Sequence, residues 1–259
     1  MVYIKKNKKK MILVIFVLLL QIFFASSMVF ATEPGDVIIP SLELNFGQGT
    51  DNVASSIQIL VLITILSLAP SILVMMTSFT RFIIVFSFLR KAISLQSTPP
   101  NQVLIALALF MTFFVMTPVF SDVIDNAYTP YVNQEISQEE ALDNAVKPIK
   151  GFMLRQVRTE DLALFVDMSG GTQYETANDI PLTTVIPAFI ISELKTGFQI
   201  GFLLFIPFIV IDMVVASTLM SLGMMMLPPV MISLPFKILL FIMVDGWHLL
   251  VEQLLRTIK

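Results

Sequence analysis

The apolar positions of this chain fall in long runs rather than stripes, and the polar residues collect between them. Residues 57–76 are uncharged and mostly apolar, residues 102–120 form a second such run, and from 186 to 258 the chain is apolar again. A helix rises about 1.5 Å per residue and must cross roughly 30 Å of hydrocarbon, so runs of this length predict membrane-spanning helices. Within the last stretch 198–220 and 230–251 are each long enough to span, giving four predicted spans with both mature ends outside. Pro70 predicts a kink in the first, and Pro187, Pro207, Pro228, Pro229 and Pro235 punctuate the C-terminal part.

The segments between the runs differ in charge. Residues 77–96 hold Arg81, Arg90 and Lys91 around a short apolar stretch, 82–89. Too short to span, it reads either as a cationic return on the cytoplasmic side or as an interfacial helix whose arginines snorkel. Residues 121–185 form the hydrophilic module, with eleven acids against four bases, Lys147, Lys150, Arg155 and Arg158. In it 138–161 is predicted helical and broken by Pro148, and Ser169-Gly170-Gly171-Thr172 reads as a flexible turn.

The first 31 residues carry a basic start (Lys5, Lys6, Lys8, Lys9, Lys10), an apolar run and small residues at a cleavage site after Ala31. That is the three-part pattern of a secretory signal, with Ala25-Ser26-Ser27 as a second candidate site and an uncleaved anchor helix as the alternative. Residues 32–56 carry Glu33, Asp36, Glu43 and Asp51 and no base, which predicts an exposed segment on the far side of the membrane. The chain therefore divides into a signal peptide (1–31), an N-terminal apolar helical hairpin region (32–120), the acidic module (121–185) and a C-terminal apolar hairpin (186–259), all of it α-helical in class.

Composition narrows the function classes. The 259 residues are 56% hydrophobic and 14% charged, far from a soluble domain. Zero Cys excludes disulfides, thiolate nucleophiles and Cys-ligated metals. Beyond the basic start, eleven basic residues face nineteen acidic ones, which argues against a nucleic-acid partner.

Between the two C-terminal runs stands Leu222-Gly223-Met224-Met225-Met226-Leu227-Pro228-Pro229. Neighbouring helical residues point about 100° apart, so no helix face could hold all three Met, and a turn is predicted. Thioether side chains are flexible and polarizable, so this turn is either a deformable apolar seal or an apolar turn filling irregular gaps.

Charges stand out in so apolar a setting, because each needs a partner or water. Asp212 lies twelve residues before Met224 and Lys237 eleven after Met226, so antiparallel arms would let them meet as a buried ion pair. Separate contacts to water or to other subunits are the alternative. Glu193 and Lys195 point to different helix faces and are candidates for contact with a neighbouring chain. Asp212 and Asp245 lack the Gly-x-Gly-Asp setting of intramembrane aspartyl proteases, and His248 has no Glu-x-x-His spacing. Neither catalysis nor a metal or other cofactor is expected, and no phosphate-binding loop motif occurs.

Longer motifs carry a family resemblance. They include Ser192-Glu193-Leu194-Lys195-Thr196-Gly197-Phe198-Gln199-Ile200-Gly201, Ile206-Pro207-Phe208, the Met turn, Leu234-Pro235-Phe236-Lys237 and Val244-Asp245-Gly246-Trp247. Upstream stand Thr80-Arg81-Phe82, Phe88-Leu89-Arg90 and Ser97-Thr98-Pro99-Pro100-Asn101-Gln102. Together they resemble the FliP family of flagellar biosynthetic proteins, and the middle region matches more loosely around Lys147-Pro148 and residues 161–165. The resemblance implies a core subunit of the type III protein export gate in the flagellar basal body of the bacterial cell membrane. Several copies, in a pentamer-like ring, would assemble with the FliQ and FliR proteins, beside the FlhB and FlhA export components, into a helical, cone-like channel. It implies unfolded export substrates and a constriction lined by Met224, Met225 and Met226. It also implies bent hairpins packed within the complex, in place of the four spans that hydropathy predicts. An injectisome gate subunit is the near alternative; a small-solute transporter and a scaffold without a lumen are more distant ones.

Overall fold

The computed structural model describes residues 74–170, 174–224 and 226–258, with isolated positions from 60 to 72. The signal sequence, residues 32–56, most of the first predicted span, Gly171-Thr172 and Met225 lie outside the described residues. Two compact units are separated at Leu73, and the following concerns the second, Val74–Lys259.

Helix α1, Phe79–Ala92, occupies the centre. Phe82, Val85, Phe86, Leu89 and Ala92 are buried, and so is Arg81. Arg81 therefore does not snorkel toward a surface, as an interfacial helix would require, but lies inside the protein. One broad face is buried among its neighbours, while Thr80, Ser87 and Lys91 lie on the more open side. It ends where Ser94 takes a left-handed conformation (φ 64°). The Ser94 N–H donates to the Lys91 carbonyl at 2.9 Å and the Leu95 N–H to that of Arg90 at 3.0 Å, which satisfies two of the carbonyls a helix end leaves free. Arg90 then reaches over the Pro99-Pro100 turn to Asn101 Oδ1 at 2.5 Å.

Helix α2, Asn101–Val123, runs through Pro118 and continues as a π-helical turn, Ile124–Tyr128, into α3, Thr129–Val132. The change from apolar to acidic composition after residue 120 falls inside this 32-residue rod. Helix α4, Gln138–Gln156, is capped by Ser137, whose Oγ accepts from the Glu140 N–H at 3.2 Å. It passes through Pro148 without a break, and the interruption comes instead at Val157 and Arg158, both extended, before α5, Thr159–Met168. Prolines end helices less reliably than the loss of one N–H suggests, because neighbouring packing holds the rod straight enough to continue.

Helix α6, Leu182–Ser221, has forty residues and starts well before the predicted span at 198, carrying Pro187 and Pro207 inside it. Helices α7, Pro229–Met243, and α8, Gly246–Arg256, meet at a 64° bend, so the run 230–251 is not one straight span. Asp245 at that bend has φ 50°, and Gly246 leaves room for the ring of Phe241.

The described residues are helical throughout, with no strand. Two helices, Asn101–Val132 and Leu182–Ser221, are long and apolar enough to cross a membrane, and the bent α7–α8 pair makes a third if counted as one span. One core joins α2, α4 and α6 through Met116, Val119, Phe152, Met153, Val185 and Phe189. Burying each such side chain contributes about 1.5–3 kcal/mol. The other contact is α1 on α6. Ile84 packs on Gly197 and Phe88 on Gly201, so the two helices run in the same direction and approach closely where α6 has no side chain.

Candidate functional site

The methionine turn is made by its flanks. Gly223 adopts φ 73°, its N–H donating to the Met220 carbonyl at 3.1 Å while the Met224 N–H reaches that of Leu219 at 3.0 Å. Glycine enters this left-handed position without a Cβ clash, so α6 stops there. Pro229, at the first position of α7, starts the returning arm with an already suitable φ. Between them the chain turns an apolar tip outward, with Met226 98% and Met224 44% exposed.

The arms of this hairpin are tied by charge. Lys237 Nζ lies 2.6 Å from Asp212 Oδ2 and 2.7 Å from Ser94 Oγ, while Ser233 Oγ donates to Asp212 Oδ1 at 2.5 Å. Lys237 is 1% exposed, whereas a third of the Asp212 side chain remains accessible. Two helices and a turn therefore meet at one ammonium: α6 through Asp212, α7 through Lys237, and the turn that follows α1 through Ser94. The hydroxyls replace part of the water both charges lose on burial, without which such a pair is a net cost.

A second node lies near the start of α6. Glu193 is fully buried and takes Arg81 through two bonds, one of them at 2.9 Å from Nε to Oε2. Arg81 also donates to Gln156 Oε1 at 3.2 Å, and to the carbonyl and hydroxyl oxygens of Thr257 at 2.9 and 3.1 Å. A planar guanidinium with five N–H groups can serve these five acceptor atoms on three residues, which a lysine cannot. Glu193 therefore meets α1 of its own chain and offers no surface to a neighbour, because the long Arg81 side chain reaches it. Lys195, two positions on, is exposed.

Asp245 belongs to neither node and stands exposed at the α7–α8 bend, and His248 is exposed one turn on. Trp247 packs edge-on against Phe241 at 5.6 Å. Among the described residues no three His, Cys, Asp or Glu side chains could hold a metal. What this geometry offers is a soft apolar tip on a hairpin locked by buried charge. Sequence reasoning missed Ser94, Ser233 and the Arg81 partner. The register Glu193, Gly197, Gly201 at four-residue spacing was the available signal for a facing helix.

Comparison with known proteins gives a consistent result. A model of the FliP family matches residues 62–254. The flagellar biosynthetic protein FliP of Bacillus subtilis is 59% identical over 207 residues, covering 80% of this chain and 94% of that one. The protein of the same name from Pectobacterium carotovorum is 49% identical, covering 91% and 90%. That of Caulobacter vibrioides is 52% identical, covering 85% and 82%. The chain belongs to the FliP family.

Proposed function

We propose that the chain is a channel-forming subunit of the flagellar protein export gate, and that Met224, Met225 and Met226 form the deformable apolar seal of its pore. Family membership makes it a membrane-located, non-enzymatic component of the flagellar export apparatus. The observation that carries the finer reading is the turn itself: Met226 is almost wholly exposed at the tip of a hairpin whose arms are joined by the Asp212–Lys237 pair. A channel for many sequences needs a lining without fixed hydrogen-bond demands, able to close around nothing and to repack around a chain.

Several copies, with the FliQ and FliR proteins and beside FlhB and FlhA, would build a helical, cone-like channel from bent hairpins of α6 with α7 and α8. Support comes from the large apolar surface these helices leave uncovered, including Phe198, Phe202, Met213, Phe236, Leu239 and Ile242. Surface of that extent is met by other subunits or lipid rather than water. Unfolded flagellar proteins are the cargo.

A photo-crosslinking residue at position 224 or 226 tests this reading. In complexes holding an export substrate arrested by a folded fusion domain, crosslinks to the substrate are expected from both positions and not from position 142. Arrested substrate without crosslinks at 224 and 226 would contradict it.

A further inference from the structure

Beside Glu193 stands Ser192, also fully buried, to which the pore reading gives no role. Hydroxyls within the helices of this chain commonly bond back to the carbonyl one turn earlier, as Ser87 does to Ile83 at 2.7 Å and Thr112 to Ala108 at 2.7 Å. Ser192 does otherwise. Its Oγ accepts from the backbone N–H of Arg158 at 3.0 Å and donates to Asp161 Oδ2 at 2.7 Å.

Those partners bracket the break between α4 and α5. Arg158 is extended and immediately precedes α5, and Asp161 lies in the first turn of that helix. Gln156, the last residue of α4, is held by Arg81, and Arg81 by Glu193. Three residues of the elbow are thus fastened to two adjacent residues of α6, directly at Ser192 and through a guanidinium at Glu193. The same unbroken helix carries the methionine turn at its other end.

We propose that Ser192 is a positioning residue: its two hydrogen bonds fasten the α4–α5 elbow to α6 and so set the resting position of the methionine turn. The functional meaning of that position rests on the turn being the seal. Through this junction the hydrophilic module bears on the channel helix.

The chain has no cysteine, so Met226→Cys places a single thiol at the tip, and its rate of reaction with a maleimide in the complete, detergent-purified complex reads where the turn sits. Leu142→Cys, on the exposed side of α4, is the control. Adding Ser192→Ala is expected to raise labelling at 226 by about fivefold, the population shift that loss of an ordinary hydrogen bond permits, with labelling at 142 unchanged. Asp161→Asn retains an acceptor for the hydroxyl and is expected to stay within about twofold of the parent. Unchanged labelling at 226 in Ser192→Ala complexes would overturn the proposal. Should those complexes fail to accumulate, Asp161→Ala removes the same bond from the part-exposed side of the elbow, and unchanged labelling there overturns it equally. Because labelling reads position and not leakage, failure here leaves the seal reading standing, and failure of the seal leaves this result readable.

Discussion

Lys237 and Asp212 lie 25 residues apart in sequence and 2.6 Å apart in space, one on each arm of the methionine hairpin. The lysine is the more deeply buried of the two, so removing the carboxylate leaves a buried ammonium with the Ser94 hydroxyl but no counter-charge. Asp212→Ala is expected to destabilise by about 3–5 kcal/mol, while Asp212→Ala combined with Lys237→Ala is distinctly milder. Thermal unfolding of the purified complex, with the amount of assembled gate measured in parallel, checks the order. Equal defects in the single and double variants would mean the two charges act separately.

Gly201 is a steric requirement of the α1–α6 contact. A Cβ there would lie 2.5 Å from Phe88 Cγ. The ring sits edge-on to Phe198 at 5.3 Å and Phe205 at 5.9 Å, so moving it aside disturbs both contacts. Gly201→Ala is expected to cost about 1–3 kcal/mol. At Gly197 the nearest atom, Ile84 Cγ2, would lie at 3.1 Å, a milder overlap than the 2.5 Å at Gly201, so Gly197→Ala should cost less. The melting temperatures of the two variants, compared side by side, decide it.

Arg81→Lys is expected to behave almost as badly as Arg81→Ala. One ammonium cannot reach Glu193, Gln156 and Thr257 together, and whichever acceptors lose their donor stay buried. Loss of several charge-assisted bonds is worth about 3–5 kcal/mol, read as assembled gate per cell and as unfolding temperature. Near-normal assembly of the lysine variant would show that charge alone suffices.

At the α7–α8 bend two adjacent residues should respond in opposite directions. Asp245 carries a left-handed backbone, so Asp245→Gly is expected to be neutral or stabilising by about 1 kcal/mol. Gly246 has Phe241 pressed against the place of a Cβ, and Phe241 is pinned by Trp247, so Gly246→Ala should destabilise by about 1–3 kcal/mol.

Helical class and apolar runs could be read because runs of this length admit few other structures. The boundaries could not: Pro148 suggested a break, yet packing carries the helix through it, and the break at Val157 has no Gly or Pro to announce it. Arg81 and Arg90 on either side of so short an apolar stretch suggested a cationic return or an interfacial helix, not a buried one. The burial of α1 depends on Glu193, 112 positions away, a distance at which one sequence offers no pairing signal. Asp212 and Lys237 could be placed opposite each other because a single tight turn fixes the register of two arms. The serines that complete their node come partly from the turn after α1, whose position that register does not determine.

Ion leakage through the assembled gate bears most directly on the methionine seal. Met224, Met225 and Met226 are replaced together by Gly, assembly of the complex is verified, and ion or small-dye flux across the cell membrane is measured. A leak from normally assembled complexes is the expected result, since on the proposed reading glycine removes the side chains that close the pore. Normal assembly with no leak and normal export would contradict the account and reduce the turn to packing.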